Sequence, residues 1–155
     1  MNKDYLETLQ FLHNLGVRYV TCSGLIITGN ARTDESVRTQ LSGEQLYQVL
    51  KEAAGYCYAN NMEINFTSPG WIAQEKLQEL ALDVPSCGAC LSNMAVTPDG
   101  KVVPCQSWLS GENFGKMGVT RWKKIWEHPD CKVHRMETAQ MKQECPLRGK
   151  AEMTR

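Results

Sequence analysis

The chain has 155 residues, enough for one sizeable domain or two small ones with a buried core. Seventeen basic side chains balance seventeen acidic ones, so no net field draws it to nucleic acid or anionic lipid. No stretch approaches the roughly 18 apolar residues of a membrane span, and MNKDYLETLQ lacks the apolar core of a secretory signal, so a cytoplasmic location is expected.

Residues 4–15 read as a helix with Tyr5, Leu9 and Leu12 on one face. Gly16 stops it from the C′ position. A short strand follows at Val17–Thr21, then a polar loop, SGLIITGNARTDES. Ser42 and Gln45 form a capping box that opens a second helix, with Leu46, Val49, Leu50, Ala53 and Cys57 along its apolar face. Met62, Ile64 and Phe66 alternate as a strand that ends at Ser68-Pro69-Gly70, and residues 72–82 form a third helix. Helices alternating with strands predict an α/β layer with parallel strands. Ser68–Trp71 closes a strand on the side where α/β folds bind ligands, although as a turn it needs no ligand.

The texture changes after Pro85, and a boundary near residue 84 divides the chain into 1–84 and 85–155. Asp99-Gly100 is a hairpin signal between MAVTP and KVVPC. The remainder reads as irregular, apart from a short aromatic helix around Arg121–Glu127.

Seven cysteines without a signal peptide argue against a disulfide framework and for metal or redox chemistry. Cys87 and Cys90 flank two small residues, so the backbone can curl and aim both sulfurs at one centre. The hairpin returns Cys105 toward them, with Cys131 and Cys145 available as a fourth thiolate. Such a set suits an iron–sulfur cluster. The rival is a zinc-stabilised binding module without a redox role, in which Cys87, Cys90, Cys131 and His134 give a Cys3His site and leave Cys105 and Cys145 idle. A thioredoxin-like pair fits less well, because there the CxxC opens a helix rather than leading into a hairpin. Cys57 reads as a packing thiol, as does Cys22. His13 reads as solvated or capping, and His134 as surface outside the zinc alternative. Trp108, Trp122 and Trp126 read as the core of a small domain or as a shield around a cluster.

Cys90, nine residues, Gly100, four residues and Cys105 resemble the C-x9–15-G-x4-C opening of the SPASM and twitch domains of radical S-adenosylmethionine enzymes. TPDGKVVPC is similar to their hairpin, WKKIWEHPDC to the following helix and ECPLR to their terminal cysteine stretch. Cys87-x2-Cys90-x14-Cys105 also resembles the auxiliary site of the molybdenum-cofactor cyclase of that superfamily. The first 80 residues resemble the last strands and helices of the partial (β/α) barrel.

This resemblance implies an α/β chain: a C-terminal barrel fragment followed by a small cysteine-rich α+β domain with a β-hairpin. It implies an auxiliary [4Fe–4S] cluster on Cys87, Cys90, Cys105 and either Cys145 or Cys131, used for electron relay or substrate binding in an oxidoreductase or maturase. The C-x3-C-x2-C triplet that holds the S-adenosylmethionine-cleaving cluster is missing. Radical generation therefore belongs to a complete enzyme, and the expected partner is an N-terminal radical half or a peptide or small-molecule substrate. The chain reads as an excised piece, a truncated frame or a split partner.

Overall fold

The first helix, α1 (Asp4–Asn14), stops where the sequence says it should. Gly16 takes φ +84°, and the Val17 N–H reaches back to the Leu12 carbonyl at 3.0 Å, the left-handed ending that glycine favours. The structure is a computed structural model and describes residues 4–108, 111–140 and 144–147.

Strands β1 (Tyr19–Cys22) and β2 (Glu63–Phe66) pair in parallel, with Tyr19 opposite Glu63 and Cys22 opposite Phe66. A parallel pair needs a long crossover. It contains η1, a 3-10 turn at Gly29–Ala31, then α2 (Asp34–Thr39) and α3 (Gly43–Ala59). The α3 capping box forms in both directions: Gln45 N–H donates to Ser42 Oγ at 3.2 Å and Ser42 N–H to Gln45 Oε1 at 2.9 Å. Leu46, Leu50, Ala53, Ala54 and Cys57 are buried along one face of α3. Each fully buried leucine there contributes roughly 1.5–3 kcal/mol. Helix α4 (Gln74–Glu79) is shorter than the predicted 72–82 and inserts Leu77 into the core.

The described residues divide into two compact units. One holds the residues up to Leu25 together with Thr39–Pro85; the other holds Ile26–Arg38 and the described residues from Ser86 onward. The SGLIITGNARTDES segment is thus more ordered than a polar loop. Its α2 begins where Ser36 N–H donates to Thr33 Oγ1 at 3.1 Å, a cap whose short helix has no apolar stripe to reveal it.

In the second unit β3 (Ala95–Val96) and β4 (Val102–Val103) form the antiparallel hairpin, Ala95 opposite Val103. The turn is closed by the Gly100 N–H on the Thr97 carbonyl at 2.8 Å. Lys101 lies 2.8 Å from Asp99; that ammonium and the Thr97 hydroxyl lower the Asp99 carboxyl to about 2. Gly100 has φ +84°, which costs an L-residue about 1–2 kcal/mol. Gly100→Ala is expected to lose that much in urea unfolding, and a variant as stable as the parent would contradict the role given to this turn. Val102 N–H donates to the Gly115 carbonyl and Phe114 N–H to the Val102 carbonyl, both at 2.9 Å, so residues 114–115 lie along the far side of β4.

Helices α5 (Trp122–Trp126) and α6 (Pro129–Ala139) complete the described part of this unit. The eleven-residue α6 corrects the expectation of an irregular tail. Proline suits its first turn, but only Cys131 and Thr138 are buried on it, so no apolar periodicity announces it. The Thr138 hydroxyl donates to the Ala89 carbonyl at 2.9 Å, tying α6 to the Cys87–Cys90 loop.

Mixed helices with small two-stranded sheets agree with an α/β chain. Among the described residues no helix is long and apolar enough to cross a membrane.

Candidate metal centre

The Cys87–Cys90 loop is a tight curl built on Gly88. Its carbonyl accepts the N–H groups of Leu91, Ser92 and Asn93 at 3.1, 3.0 and 3.0 Å. A Cβ on Gly88 would lie 2.4 Å from both Asn93 Nδ2 and Ser92 Oγ, so no larger residue fits without displacing them. Cys90 itself adopts φ +59°, and its N–H donates to the Asn93 carbonyl at 2.9 Å. A non-glycine residue held in that region is strained, and such strain concentrates at functional sites.

Two apolar clusters flank the cysteines. Cys90 and Cys131 are buried with Val102, Phe114 and Ile125. Val103, Trp108 and Leu147 form the second cluster, and Cys105, Cys145, Ala95 and Ile26 pack against it. β4 feeds both clusters, because successive strand residues point to opposite faces: Val102 to the first, Val103 to the second. Cys105, two residues beyond the strand, packs with Cys145 against the second cluster.

The electrostatics report the same neighbourhood. Burial pushes the Cys105 thiol up, backbone N–H groups of Ser107 and Trp108 pull it down, and nearby Cys145 and Cys87 raise it again. Cys90 is pushed up to about 12, first by burial, then by the charge and hydrogen bond of Cys131, with Cys105 adding and Arg135 opposing. The cysteines of this unit are thus shared between the two clusters, Cys90 with Cys131 in the first and Cys105 with Cys145 against the second, with Cys87 three positions before Cys90. All are free thiols; Cys90 and Cys131 are buried, and Cys87, Cys105 and Cys145 are half-buried. Among the described residues no three His, Cys, Asp or Glu side chains close into a ready-made metal cage. Binding here must draw the sulfurs in and displace their protons, as thiolate sites generally do.

Residues 87–147 match the family model of SPASM, an iron–sulfur cluster-binding domain. The SPASM match spans all five gathered cysteines and leaves out Cys22 and Cys57. No curated protein and no solved structure matches the chain. The donor set fits the group that SPASM domains hold: soft thiols packed in and against apolar clusters.

The remaining sequence candidates fall elsewhere. Cys57 is fully buried in the first unit, and Cys22 is in contact with the Tyr5 hydroxyl there. Ser68 is buried and its hydroxyl accepts the Gly24 N–H at 2.8 Å, while Trp71 packs so closely that a Cβ on Gly24 would lie 2.4 Å from its Nε1. That turn serves packing.

His134 departs from its surface reading. Its side chain is 13% exposed, lies between Glu112 at 3.6 Å and Glu137 at 3.7 Å, and meets the Trp108 ring edge-on at 4.7 Å. The three tryptophans also part ways. Trp108 is core beside Cys105 and Cys145, Trp126 lies under the Arg135 guanidinium, and Trp122 is largely exposed. Arg135, whose Nη1 donates to the Cys131 sulfur at 3.7 Å, is the residue sequence reasoning missed. Arg135 stands four residues after Cys131, a signal that becomes readable only once α6 is known to be helical.

Proposed function

We propose that the chain is the auxiliary-cluster portion of a radical S-adenosylmethionine oxidoreductase or maturase, and that a [4Fe–4S] cluster is held by Cys87, Cys90, Cys105 and Cys145. The match of residues 87–147 to an iron–sulfur cluster-binding domain carries this reading. The cluster supplies one-electron chemistry when bound.

The protein's own part is to hold, shield and bias. The Gly88 curl aims Cys87 and Cys90, and the hairpin positions Cys105. The Trp108 N–H donates to the Cys105 carbonyl at 3.0 Å and fixes the backbone that carries this thiol. Trp108, Val103 and Leu147, all below 5% exposed, exclude water on the side of Cys105 and Cys145. A fully cysteine-ligated cluster favours electron relay over direct substrate binding. The partner in this reading is an N-terminal radical half, with a peptide or small molecule as the substrate of the whole.

Anaerobically reconstituted protein is expected to be brown, to absorb broadly at roughly 400 nm from thiolate–iron charge transfer, and to bleach with dithionite. Colourless protein retaining one tight zinc would overturn the proposal. Because the chain has no C-x3-C-x2-C triplet, the reduced, loaded protein is expected to yield no 5′-deoxyadenosine from S-adenosylmethionine. Product above a buffer control would show that another site cleaves it.

A further inference from the structure

The whole chain carries no net charge, yet residues 113–126, NFGKMGVTRWKKIW, hold four basic side chains and no acidic one. Lys116, Arg121, Lys123 and Lys124 are all exposed, and among the described residues none of them forms a salt bridge. The next acid along the chain, Glu127, is paired with Lys132 at 2.5 Å, and Lys123 reaches it only through its charge. Large apolar side chains are exposed in the same stretch: Val119 is 78% exposed, Trp122 53% and Met117 50%. A run of charge alone is ordinary solvated surface, and so is a single exposed hydrophobe. Three large apolar groups interleaved with four bases that lack an ion-pair partner have the make-up of an interaction surface.

That surface is also preformed. Met117 N–H donates to the Gly100 carbonyl at 2.8 Å, which ties the segment to the hairpin, and Thr120 N–H donates to the Lys116 carbonyl at 2.8 Å. Lys116 N–H donates in turn to Thr120 Oγ1 at 3.0 Å. Ile125, buried, anchors α5, and the Trp122 ring stacks on Trp126 with centroids 6.2 Å apart and planes 29° apart. A backbone held in this way has little ordering left to lose on binding.

We propose that residues 116–124 form a docking surface for a linear segment of a separate protein chain that carries both carboxylates and large apolar side chains. None of these residues is a cysteine, so the surface stands whether or not a cluster is bound. The bases select carboxylates, and Val119, Trp122 and Met117 select apolar groups set beside them. A nucleic acid answers the bases and the tryptophan but leaves Val119 and Met117 against phosphate and sugar, and the balanced chain supplies no long-range field to gather a polyanion. A bilayer surface calls for a long amphipathic helix, whereas α5 has five residues.

The test sets the full chain against an array of short peptides in which Asp/Glu content and Leu/Phe content vary independently. Wild type is expected to bind only peptides that hold both, and the best of them, fluorescein-labelled, is then titrated by anisotropy. Trp122→Ala and the double variant Lys123→Glu, Lys124→Glu are each expected to weaken it by about tenfold or more, and high salt is expected to weaken wild type. Val119→Ser gives a second apolar reading should Trp122→Ala lose structure through its stack on Trp126. Lys51→Glu, at an exposed base in the other compact unit, should bind as wild type. Far-UV circular dichroism checks that each variant keeps its fold. No array signal, or binding unchanged by the apolar and charge-reversal variants, would overturn the proposal. Tighter binding of single-stranded oligo-dT or of phosphatidylserine vesicles, lost in the same variants, would assign the surface to a nucleic acid or a membrane and overturn it too. Self-association that those variants abolish in sedimentation would instead make a second copy of the chain the occupant, with the same consequence.

Discussion

Cys105→Ala abolishes iron loading. This is the largest effect expected of any single substitution, because Cys105 sits at the centre of the proposed ligand set. It follows directly on the hairpin, Cys145 packs against the same apolar cluster, and the Trp108 N–H holds its carbonyl at 3.0 Å. Removing that sulfur takes away one metal bond of the proposed four-cysteine site. Iron and sulfide per chain after anaerobic reconstitution should fall to background, and the absorbance at roughly 400 nm should vanish with them. Cys22→Ala and Cys57→Ala are the controls. Both lie in the other compact unit and should leave iron content unchanged, although Cys57→Ala opens a small cavity in the core of α3 and should cost some stability. Full iron in Cys105→Ala would remove the geometric basis of the proposed function.

The second large effect is on stability. Trp108 is 1% exposed and joins Val103, at 4%, and Leu147, at 3%, in one cluster, with Cys105 and Cys145 packed against it and the His134 ring 4.7 Å away. Two-residue strands supply little of their own stability, so this unit depends on such side chains. Trp108→Ala is expected to cost about 3–5 kcal/mol, a large part of the total for a domain whose stability lies in the range of roughly 5–15 kcal/mol. Urea unfolding of the metal-free protein measures it directly. Trp108→Phe, which keeps an aromatic body in the cluster, should recover much of the loss. A loss under about 1 kcal/mol, the ordinary effect of a point substitution, would mean that Trp108 does not organise the cysteine site.

Local chemistry was readable wherever a residue type has one dominant use. Gly16 ends α1, Ser42 and Gln45 cap α3, Asp99-Gly100 turns the hairpin and Gly88 permits the curl between Cys87 and Cys90. Each depends only on backbone conformation or on groups within a few residues. The parallel pairing of β1 with β2 followed from the alternation of elements, and the burial of Cys57 from its place on an apolar helix face. These are short-range or periodic signals, and a linear sequence carries both.

Other features depended on contacts between residues distant in sequence. Helix α6 has no apolar stripe; it is docked by one buried thiol at Cys131 and one hydroxyl at Thr138 that reaches Ala89, forty-nine positions earlier. The grouping of Ile26–Arg38 with the cysteine-rich unit likewise has no local marker. The different surroundings of the cysteines were hidden for the same reason. The sequence offered both Cys131 and Cys145 as the fourth thiolate, and only the resemblance of ECPLR to a terminal cysteine stretch leaned toward Cys145. Only the tertiary structure places Cys145, half-buried, beside Cys105 and encloses Cys131 between Cys90, Arg135 and packed hydrophobic side chains. Sequence determines which atoms can bind iron. Which of them have room, charge and hydrogen-bond partners to do so is decided when α6, the hairpin and the Gly88 loop pack together, because burial and direction are properties of neighbours in space.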